Sequence, residues 1–422
     1  MSKQLHIIGL GVETGLGLSA PAARALQTSH TVIGSPRQLQ LAMPLLASAD
    51  SKNPDLIPLP KLSGLNALIE RLSPGAITIL ASGDPLYFGI GRWLSQQFDA
   101  ECLQFYPSVS SIQAVCNHLG IAQQDCRVVS LHGRDFGGIR RVLKQNTTLI
   151  ILTDQHSHPR ALAKACIEAG FGQSILWVCE DLGSDSERYR KFDVSSLCNN
   201  DSFECSDLHV SVIKTRGEGG VLPEFPGIAD HSFVTDAGTG QGMITKREVR
   251  LAILSLMQPA NDDVIWDIGA GCGGVSTELA YWNQRLRVYA IEQHPERLRC
   301  LAANQEKFGT GSNLFIIEGR APLALADLAA ANKVFIGGND GELDSILTLV
   351  WQQLPANGLL VASSVTDKTL ARLQGFALEL EQDQVESLQI AVSRGELGEN
   401  RMDYRAKRPV TLFKFSKRGR RP

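Results

Sequence analysis

The sequence lacks the patterns that direct a protein to a membrane or to an oxidising compartment. No apolar run approaches the roughly 18 residues that a membrane-spanning helix needs. The N-terminal "MSKQLHIIGLG" has no long apolar core followed by a small-residue cleavage site. The nine cysteines never form a CxxC pair, which predicts reduced thiols and argues against a zinc site. We therefore expect a cytoplasmic protein without a metal.

Strong charge of either sign is missing too. The 422 residues carry a formal net charge of −3, and aromatic residues make up only 6%. Proteins that bind nucleic acid usually show a clearly basic face with interleaved aromatic side chains. We therefore expect no nucleic-acid partner. Hydrophobic residues make up 43%, enough for sizeable cores, and the length suggests two or three domains at roughly 150 residues each.

The chain does contain short β-rich runs that alternate with helical ones, the signature of an α/β fold with largely parallel sheets. The predicted strands of the first half are "LHIIGL", "TVIGS", "AITILAS", "QFYPS", "RVVSLHG", "TTLIILTD", "ILWVCEDL" and "LHVSVIKT". Those of the second half are "DVIWDIG", "RVYAIEQ", "NLFIIEG", "KVFIGGN", "GLLVASSV", "VESLQIAVSR" and "RPVTLFKFS". Between the halves, a segment with Gly and Pro lacks periodicity. We predict a first domain over 1–215, a linker over 216–235 and a second domain over 236–422.

In the second half, the stretch "VIWDIGAGCGGVSTELA" passes from a strand through a glycine cluster into a helix. Gly269 and Gly271 permit a tight turn and a close backbone approach, and the helix beginning near Gly274 points free N–H groups at whatever lies there. The acid Glu292 ends the next strand, 21 residues after Gly271. That is the spacing of an acid that binds ribose hydroxyls. The pattern predicts a nucleotide-like ligand at this turn.

Two further features refine the ligand. Five βα units are followed by two late strands with no long helix between them, which favours S-adenosylmethionine over a dinucleotide. Asp267, just before the glycines, is placed either for the amino-acid end of the donor or for the N–H groups of the turn itself. Glu292 is expected to accept hydrogen bonds from both ribose hydroxyls.

Several motifs of the second half resemble the decarboxylating half of the precorrin-6Y C5,15-methyltransferases of cobalamin biosynthesis: "TKREVR", "DIGAGCGGVSTELA", "YAIEQHPER", "EGRAP" and "FIGGNDGEL". The resemblance covers about residues 230–415 and implies the seven-stranded Rossmann-like class I methyltransferase fold. It implies donor contacts at Thr245, Gly269, Ala270, Gly271, Cys272, Gly273, Glu292 and Ala321. Asp267, from its place before the glycines, and Arg320 complete the expected donor contacts. Two positions depart from the family pattern, because Arg320 stands where an acid is common and Cys272 where Ser or Thr is common.

The glycine turn of the first half, "IIGLGVETGLGLSAPAARAL", does not keep the same register, and no acid ends the strand "TVIGS". Together with "ASGDPLYFGIG", "FYPSVSSIQAVCNHLG", "VVSLHGRD" and "LTDQHSHPRALAKACIEAGFG" it resembles the tetrapyrrole methylases, in the subfamily that methylates precorrin-6Y. The resemblance implies two α/β lobes with the donor between them. It implies donor contacts at Leu10, Gly11, Gly83, Asp84, Tyr87, Ser110 and Ser111. Val12 stands where the family usually has proline.

Taken together, the two resemblances imply a bifunctional enzyme that methylates a reduced tetrapyrrole at carbons 5 and 15. It would remove the carboxyl group of the ring C acetate and give precorrin-8X. They imply two S-adenosylmethionine sites per chain, a homodimer or homotetramer, and no assignable general acid or base. The substrate's carboxylates predict cationic partners, since arginine can grip a carboxylate bidentately. The candidates in a late loop are Arg394, Arg401, Arg405 and Arg408, although such a loop can also be simply solvated.

Other interpretations stay open at this level. The chain could be an RNA or protein S-adenosylmethionine-dependent methyltransferase with a degenerate N-terminal half, or one half could be a non-enzymatic scaffold. His132 could be a packed histidine or a catalytic one. His156 and His158 have a spacing that suits a metal, but no third ligand stands near them in the sequence.

Overall fold

The computed structural model describes residues 3–12, 17–47, 54–238, 240–399 and 401–418. The chain forms two compact units. The first comprises the residues up to Arg134 together with Gln145–Glu218, and the second comprises Asp135–Lys144 together with the residues from Gly219 onward. None of the described helices combines the length and apolar character that crossing a bilayer requires.

The first lobe of the first unit is a five-stranded parallel sheet. Helices join its successive strands, and such crossovers produce parallel pairing. The elements are β1 (Gln4–Gly9), α1 (Ala20–Thr28), β2 (Thr31–Gly34), α2 (Pro36–Ala47), β3 (Asp55–Pro58), α3 (Leu62–Arg71), β4 (Ala76–Ala81), α4 (Gly91–Gln97) and β5 (Leu103–Tyr106). The strand order is β3-β2-β4-β1-β5. Buried Ile7 and Ile79 face one core and Ile8 and Leu80 the other, so side chains of both β1 and β4 are buried on both faces.

The second lobe is a mixed sheet with strand order β6-β7-β10-β8-β9. Its elements are α5 (Ser111–Leu119), β6 (Cys126–Ser130), β7 (Thr148–Leu152), α6 (Pro159–Glu168), β8 (Ile175–Glu180), β9 (Arg188–Asp193), α7 (Val194–Cys198) and β10 (His209–Lys214). β6 runs parallel to β7, whereas β10 is antiparallel to β7 and β8, and β9 is antiparallel to β8. The expectation of largely parallel sheets therefore fails in this lobe.

The second unit contains a seven-stranded sheet with the order β13-β12-β11-β14-β15-β19-β16. Its elements are α8 (Arg247–Met257), β11 (Val264–Ile268), α9 (Gly274–Trp282), β12 (Arg287–Glu292), α10 (Pro295–Lys307), β13 (Leu314–Glu318), β14 (Lys333–Ile336), α11 (Leu343–Gln353), β15 (Leu359–Ser364), α12 (Asp367–Leu378), β16 (Val385–Ile390), β17 (Ser393–Leu397), β18 (Met402–Ala406) and β19 (Val410–Ser416). β19 lies antiparallel between β15 and β16. The predicted α/β class with its seven-stranded second half is confirmed.

Four strands of the structure were not predicted from the sequence patterns. β3 is short and ends in proline, and β9 is an edge strand dominated by charged and aromatic residues. β17 and β18 form a separate two-stranded hairpin whose residues are all exposed. No residue of these four strands is buried, so they leave no apolar alternation in the sequence.

The boundary between the units differs in detail from the predicted domain limits. Residues 219–235, which the sequence analysis placed in a linker, group with the second unit and bury Ile228 and Phe233. Residues 135–144 also belong to the second unit, although they interrupt the first in sequence. Arg141 in this segment is 3% exposed.

Candidate functional site

The carboxyl ends of β1, β4 and β5 meet at one edge of the first sheet, because β1 lies between β4 and β5. The loops after these strands approach so closely that side chains would not fit. A Cβ on Gly9 would overlap the carbonyl oxygen of Gly83, and one on Gly83 would lie 2.9 Å from Cα of Ser110. A Cβ on Gly11 would lie 2.6 Å from Oγ of Ser108. Ligands of α/β sheets bind at such strand ends, where neighbouring strands diverge.

Of the residues expected at this site, the structure brings together Leu10, Gly11, Gly83 and Ser110. Leu10 and Gly11 line a cavity of about 220 Å³. Ser110 caps α5, since its Oγ accepts a hydrogen bond from the N–H of Gln113. The hydroxyl of Ser110 is therefore used to cap the helix. The first residue of α5 at this site is Ser111.

The remaining candidates of this site lie on the loop after β4. Oδ1 of Asp84 accepts a hydrogen bond from the N–H of Leu86 at 2.8 Å, so the carboxylate closes its own turn. Tyr87 is 39% exposed and contacts Phe88 edge-to-face, with ring centroids 5.1 Å apart. Phe88 has a φ of +57°, a conformation that costs a bulky residue energy and often marks a functional loop.

In the second unit, the loop between β11 and α9 is equally crowded. Gly269, Gly271 and Gly273 have φ values of +71°, +59° and +85°. A Cβ on Gly269 would lie 2.5 Å from the backbone N of Gly338, and one on Gly271 would overlap the carbonyl oxygen of Met243. Only glycine fits these positions without strain. Glycine at these positions therefore lets neighbouring backbone segments pack closely against the loop.

Glu292 organises this glycine loop. Its Oε2 accepts a hydrogen bond from the N–H of Gly271 at 2.8 Å. Its Oε1 accepts from the N–H groups of Gln293 and His294, both at 2.9 Å. The side chain is 4% exposed, so the acid is preorganised next to the loop rather than a solvated surface residue.

A pocket joins the loops that follow β11, β12, β13 and β14. Four predicted residues line it: Gly269, Glu292, Arg320 and Ala321. The lining residues Gln293, Gly338, Asn339 and Asp340 were not predicted. A signal was available in the glycine pair that ends the strand "KVFIGGN", because β14 is parallel to β11 and ends at the same edge. The pocket is small, about 20 Å³, and at its exposed mouth Asp340 bonds both to Gln293 and to Arg320.

The side chains of Asp267 and Cys272, which were expected to contact the donor, bond to other groups of the protein. Oδ2 of Asp267 accepts a hydrogen bond from the N–H of Ser276 at 3.0 Å, so this acid serves the turn's own N–H groups. Burial raises the pKa of Asp267 to about 7. Sγ of Cys272 faces Oδ1 of Asp236 at 3.5 Å, and burial raises the pKa of this thiol to about 12. The side chain of Cys272 therefore turns away from the pocket.

The other candidates of this loop do not line the pocket either. Thr245 precedes α8, and its carbonyl oxygen accepts a hydrogen bond from Arg250 at 2.6 Å. A Cβ on Gly273 would overlap Leu301, so Gly273 lets α9 pack against α10. Ala270 bonds through its N–H to the carbonyl of Ile291 at 3.0 Å. These residues support the packing of the glycine loop and do not line the pocket.

Three of the four arginines proposed for the substrate are paired with acids. Arg394 bonds to Asp230 at 3.1 Å and to Glu248 at 2.9 Å. Burial lowers the pKa of Arg394, but these pairings outweigh it and raise the pKa overall. Arg401 pairs with Asp403 and Arg405 with Glu396. Arg408 is exposed and forms no ion pair with the described residues.

The histidines give no metal centre. Within the described ranges, no cluster of three or more potential ligands is suited to a metal ion. His158 caps α6 and lies 3.5 Å from Sγ of Cys205, whereas the N–H of His156 bonds to Asp154. His132 is exposed on the loop after β6.

Comparison with known families assigns the chain to the tetrapyrrole methyltransferase class. The family model "Tetrapyrrole (Corrin/Porphyrin) Methylases" matches residues 4–198, and the model "Precorrin methyltransferase domain" matches residues 236–417. The chain is 34% identical over 373 residues to the precorrin-6Y C(5,15)-methyltransferase [decarboxylating] of Sinorhizobium sp., covering 87% of this chain and 86% of that protein. The chain therefore belongs to the family of decarboxylating precorrin-6Y C5,15-methyltransferases.

Two further relatives correspond to parts of the chain. The cobalt-precorrin-7 C(5)-methyltransferase of Salmonella typhimurium is 29% identical over 194 residues, which is 46% of this chain and 92% of that protein. A crystal structure titled precorrin-6Y C5,15-methyltransferase, from Geobacter metallireducens, covers 45% of this chain and 98% of its own, with 32% identity and a TM-score of 0.42. Family membership confirms the predicted tetrapyrrole methylation with S-adenosylmethionine as the donor, and it gives no support to an RNA or protein substrate.

Proposed function

We propose that this chain methylates precorrin-6Y at carbons 5 and 15 and removes the carboxyl group of the ring C acetate, giving precorrin-8X. The first unit carries the carbon-5 transfer, and the second unit carries the carbon-15 transfer and the decarboxylation. One observation carries the proposal: each unit has its own cavity, lined by glycine-containing loops, at the carboxyl ends of parallel strands. The existence of a relative named for carbon-5 methylation alone, matching 46% of the chain, supports the division.

Both sites fit a donor with a nucleoside and an amino-acid end. In the second unit, Gly269 and the carboxylate of Glu292 line the same pocket, and a carboxylate there suits ribose hydroxyls. In the first unit, Leu10, Gly11 and the segment 107–109 that leads into α5 line a cavity, and the N-terminus of a helix favours a carboxylate. S-adenosylmethionine supplies an electrophilic methyl group on a sulfonium. The chemistry asks the protein mainly for alignment, which can supply about 7–11 kcal/mol.

The protein's own part is to bind, orient and exclude water. We assign no general acid or base to either transfer, because a ring carbon of the reduced macrocycle is itself the nucleophile. The macrocycle also serves as the electron sink for decarboxylation, so no nucleophilic side chain and no metal is required. Among the predicted cationic partners of the substrate, Arg408 lacks a competing acid in the described part of the chain, whereas Arg394 must leave Asp230 and Glu248 to bind a carboxylate.

The wider setting follows from the same proposal. Reduced, unpaired cysteines and a small-molecule biosynthetic substrate fit the cytoplasm. A homodimer or homotetramer is expected by resemblance, and neither nucleic acid nor a membrane is expected as a partner.

The test is donor stoichiometry, measured by titrating S-adenosylhomocysteine into the full-length protein in a calorimeter. We expect two molecules per chain. Gly83→Ala and Gly269→Ala are each expected to weaken one site by at least about tenfold, because the new Cβ would collide with the backbone of Ser110 or of Gly338 and displace a loop of the site. Gly172→Ala and Gly375→Ala are matched controls, since a Cβ there meets nothing within 4 Å.

Product masses then assign the transfers. With precorrin-6Y, Gly269→Ala is expected to accumulate a product heavier by one methyl that has kept its carboxyl group. Gly83→Ala is expected to retain decarboxylation. One donor per wild-type chain would contradict the two-site proposal and favour a scaffold role for one half, and loss of decarboxylation in Gly83→Ala would contradict the division of labour.

A further inference from the structure

The rim of the second-unit pocket carries a basic side chain, that of Arg320. A guanidinium group has N–H donors and no acceptor. It therefore cannot accept a hydrogen bond from the exocyclic amino group of an adenine. If the pocket distinguishes adenine from other bases, another group that lines it, either a side chain or a backbone carbonyl, must supply the acceptor.

The carboxylates that line the described pocket are those of Glu292 and Asp340. Glu292 already accepts three backbone N–H groups beside the glycine loop. Asn339 also lines the pocket, but its Oδ1 accepts from the N–H of Gly341 at 3.1 Å. Asp340 is exposed at the mouth, where its carboxylate can meet a ligand.

Asp340 already accepts a hydrogen bond from a planar NH₂ group, as it would from the exocyclic amino group of adenine. The side-chain amide of Gln293 donates a hydrogen bond through Nε2 to Oδ2 of Asp340 across the pocket mouth. An amide NH₂ and the exocyclic NH₂ of adenine are both planar donors attached to an sp² carbon. This contact at the pocket mouth therefore resembles the contact that an adenine would make. Gln293 follows Glu292 directly, so the ribose acid and this amide lie side by side.

Arg320 holds the loop that presents Asp340. It donates to the carbonyl oxygen of Asp340 at 2.8 Å and pairs with Glu342 at 3.1 Å. Asp340 has a φ of +44°, which an aspartate tolerates better than most residues but which still needs support from its surroundings. The basic residue at the rim is thus tied to the acid that can supply the acceptor.

We propose that Asp340 accepts a hydrogen bond from the exocyclic amino group of the donor's adenine, displacing Gln293, and that Arg320 is a positioning residue for Asp340. The proposal rests on the donor site assigned above to the second unit. It makes Asp340 the residue that selects a 6-amino purine over a 6-oxo purine, because a carboxylate repels a 6-oxo oxygen.

The experiment compares S-adenosylhomocysteine with its 6-oxo analogue, S-inosylhomocysteine, by calorimetric titration of the full-length protein. A Gly83→Ala background weakens the first-unit site so that the second-unit site dominates the titration. Without a change at Asp340, we expect the 6-amino ligand to bind at least about tenfold more tightly, the effect of one hydrogen bond to a charged group. Asp340→Asn is expected to bring the two affinities within about threefold, because an amide can accept from an amino group or donate to an oxo group.

Three variants complete the test. Asp327→Asn removes an exposed acid outside the pocket and is expected to keep the discrimination. Arg320→Ala is expected to reduce it and Arg320→Lys to restore most of it, since an ammonium group can still bind the carbonyl of Asp340. Unchanged discrimination in Asp340→Asn would overturn the proposal, as would its collapse in Gln293→Ala with Asp340 intact. Loss of all binding in the Gly83→Ala background would instead refute the second-unit donor site itself.

Discussion

At the scale of single residues, two acids that look alike in sequence have different roles. Asp267 and Glu292 both lie at or near the carboxyl end of a strand of the second sheet. Glu292 faces the pocket and binds the glycine loop, whereas Asp267 is 1% exposed and binds the first turn of α9. Oδ1 of Asp267 has no hydrogen-bond partner in the described structure. The strand register places both side chains on the same face of the sheet, since Asp267 pairs with Ala290 and Glu292 follows two residues later. The difference therefore follows from position along the strands, because Asp267 lies inside β11 whereas Glu292 is the last residue of β12.

Glu292→Ala is expected to weaken donor binding in the second unit by at least about tenfold, because each hydrogen bond to a carboxylate contributes about 1.5–3 kcal/mol. Methylation at carbon 5 is expected to continue. The measurement is a titration with S-adenosylhomocysteine in the Gly83→Ala background. Glu318→Ala is the matched control, since Glu318 pairs in register with Glu292 on β13 but is exposed. Equal affinities in Glu292→Ala and in the parent would rule out the ribose assignment.

Asp267 predicts a pH dependence of stability. Burial raises its pKa from the ordinary value to about 7 in the folded state, so between about pH 4 and pH 7 the folded state keeps a proton that the unfolded state has lost. The second unit should therefore lose stability as the pH rises through this window, with a slope of at most about 1.4 kcal/mol per pH unit from this group.

Asp267→Asn, which cannot titrate, should remove that slope. Urea unfolding of the second unit at several pH values measures it, with Asp327→Asn as the exposed control. A variant whose pH profile matches that of the parent protein would show that Asp267 does not carry the effect.

At the scale of elements, the hairpin β17–β18 places its arginines within ion-pair distance of acidic residues. Arg394 and Arg405 face each other in the strand register, and each finds an acid nearby. Gly395, Leu397, Met402 and Tyr404 alternate with them on the opposite face. Arg394 ties the base of the hairpin to Asp230, which also binds the fully buried Arg250. The hairpin is thus anchored at one end by charge rather than by an apolar core.

Arg394→Ala is expected to loosen the hairpin while lowering the free energy of unfolding by no more than about 1 kcal/mol, because the side chain is partly exposed. Limited digestion with trypsin should then cut faster at Arg401 and Arg405. Lys368→Ala, an exposed change on α12, is the control. Cleavage at the parental rate would show that the contacts of Arg394 do not hold the hairpin.

At the scale of the whole molecule, the second unit is completed by a segment that the chain supplies from within the first. In residues 135–144, the buried Arg141 donates to the carbonyl of Gly309 at 2.5 Å, to Oδ1 of Asn313 at 2.6 Å and to the carbonyl of Ala280 at 3.3 Å. Burial lowers the pKa of Arg141 to about 10, which leaves it charged at neutral pH. A fragment that begins at Gly219 would lack these contacts.

Arg141→Ala is expected to destabilise the second unit by about 2–4 kcal/mol, because it leaves buried acceptors unpaired. Thermal unfolding of the full-length protein, followed with and without S-adenosylhomocysteine, measures the loss. Arg134→Ala, an exposed change just outside the segment, should leave the transition unmoved. Identical transitions for the two variants would mean that the segment adds no stability to the second unit.

The α/β class, most strands and the two glycine turns could be predicted from the sequence. Buried strands must alternate apolar residues or run apolar throughout, and a turn such as Gly269–Gly271 needs φ values that other residues avoid. These are local constraints, so they leave a local record. The place of Glu292 beside the glycine loop was also predictable, because the length of one βα unit sets its distance from the loop.

Which side chains face the pocket could not be predicted, because it depends on contacts between distant parts of the chain. Asp340 and Gln293 meet because β14 and β12 flank β11 in the sheet, although 47 residues separate them in sequence. Arg394 pairs with Asp230 across 164 residues, and Arg141 reaches Asn313 across 172. Such contacts depend on strand order and on how elements pack. The identity of a residue alone does not record which distant residue will neutralise or bind it.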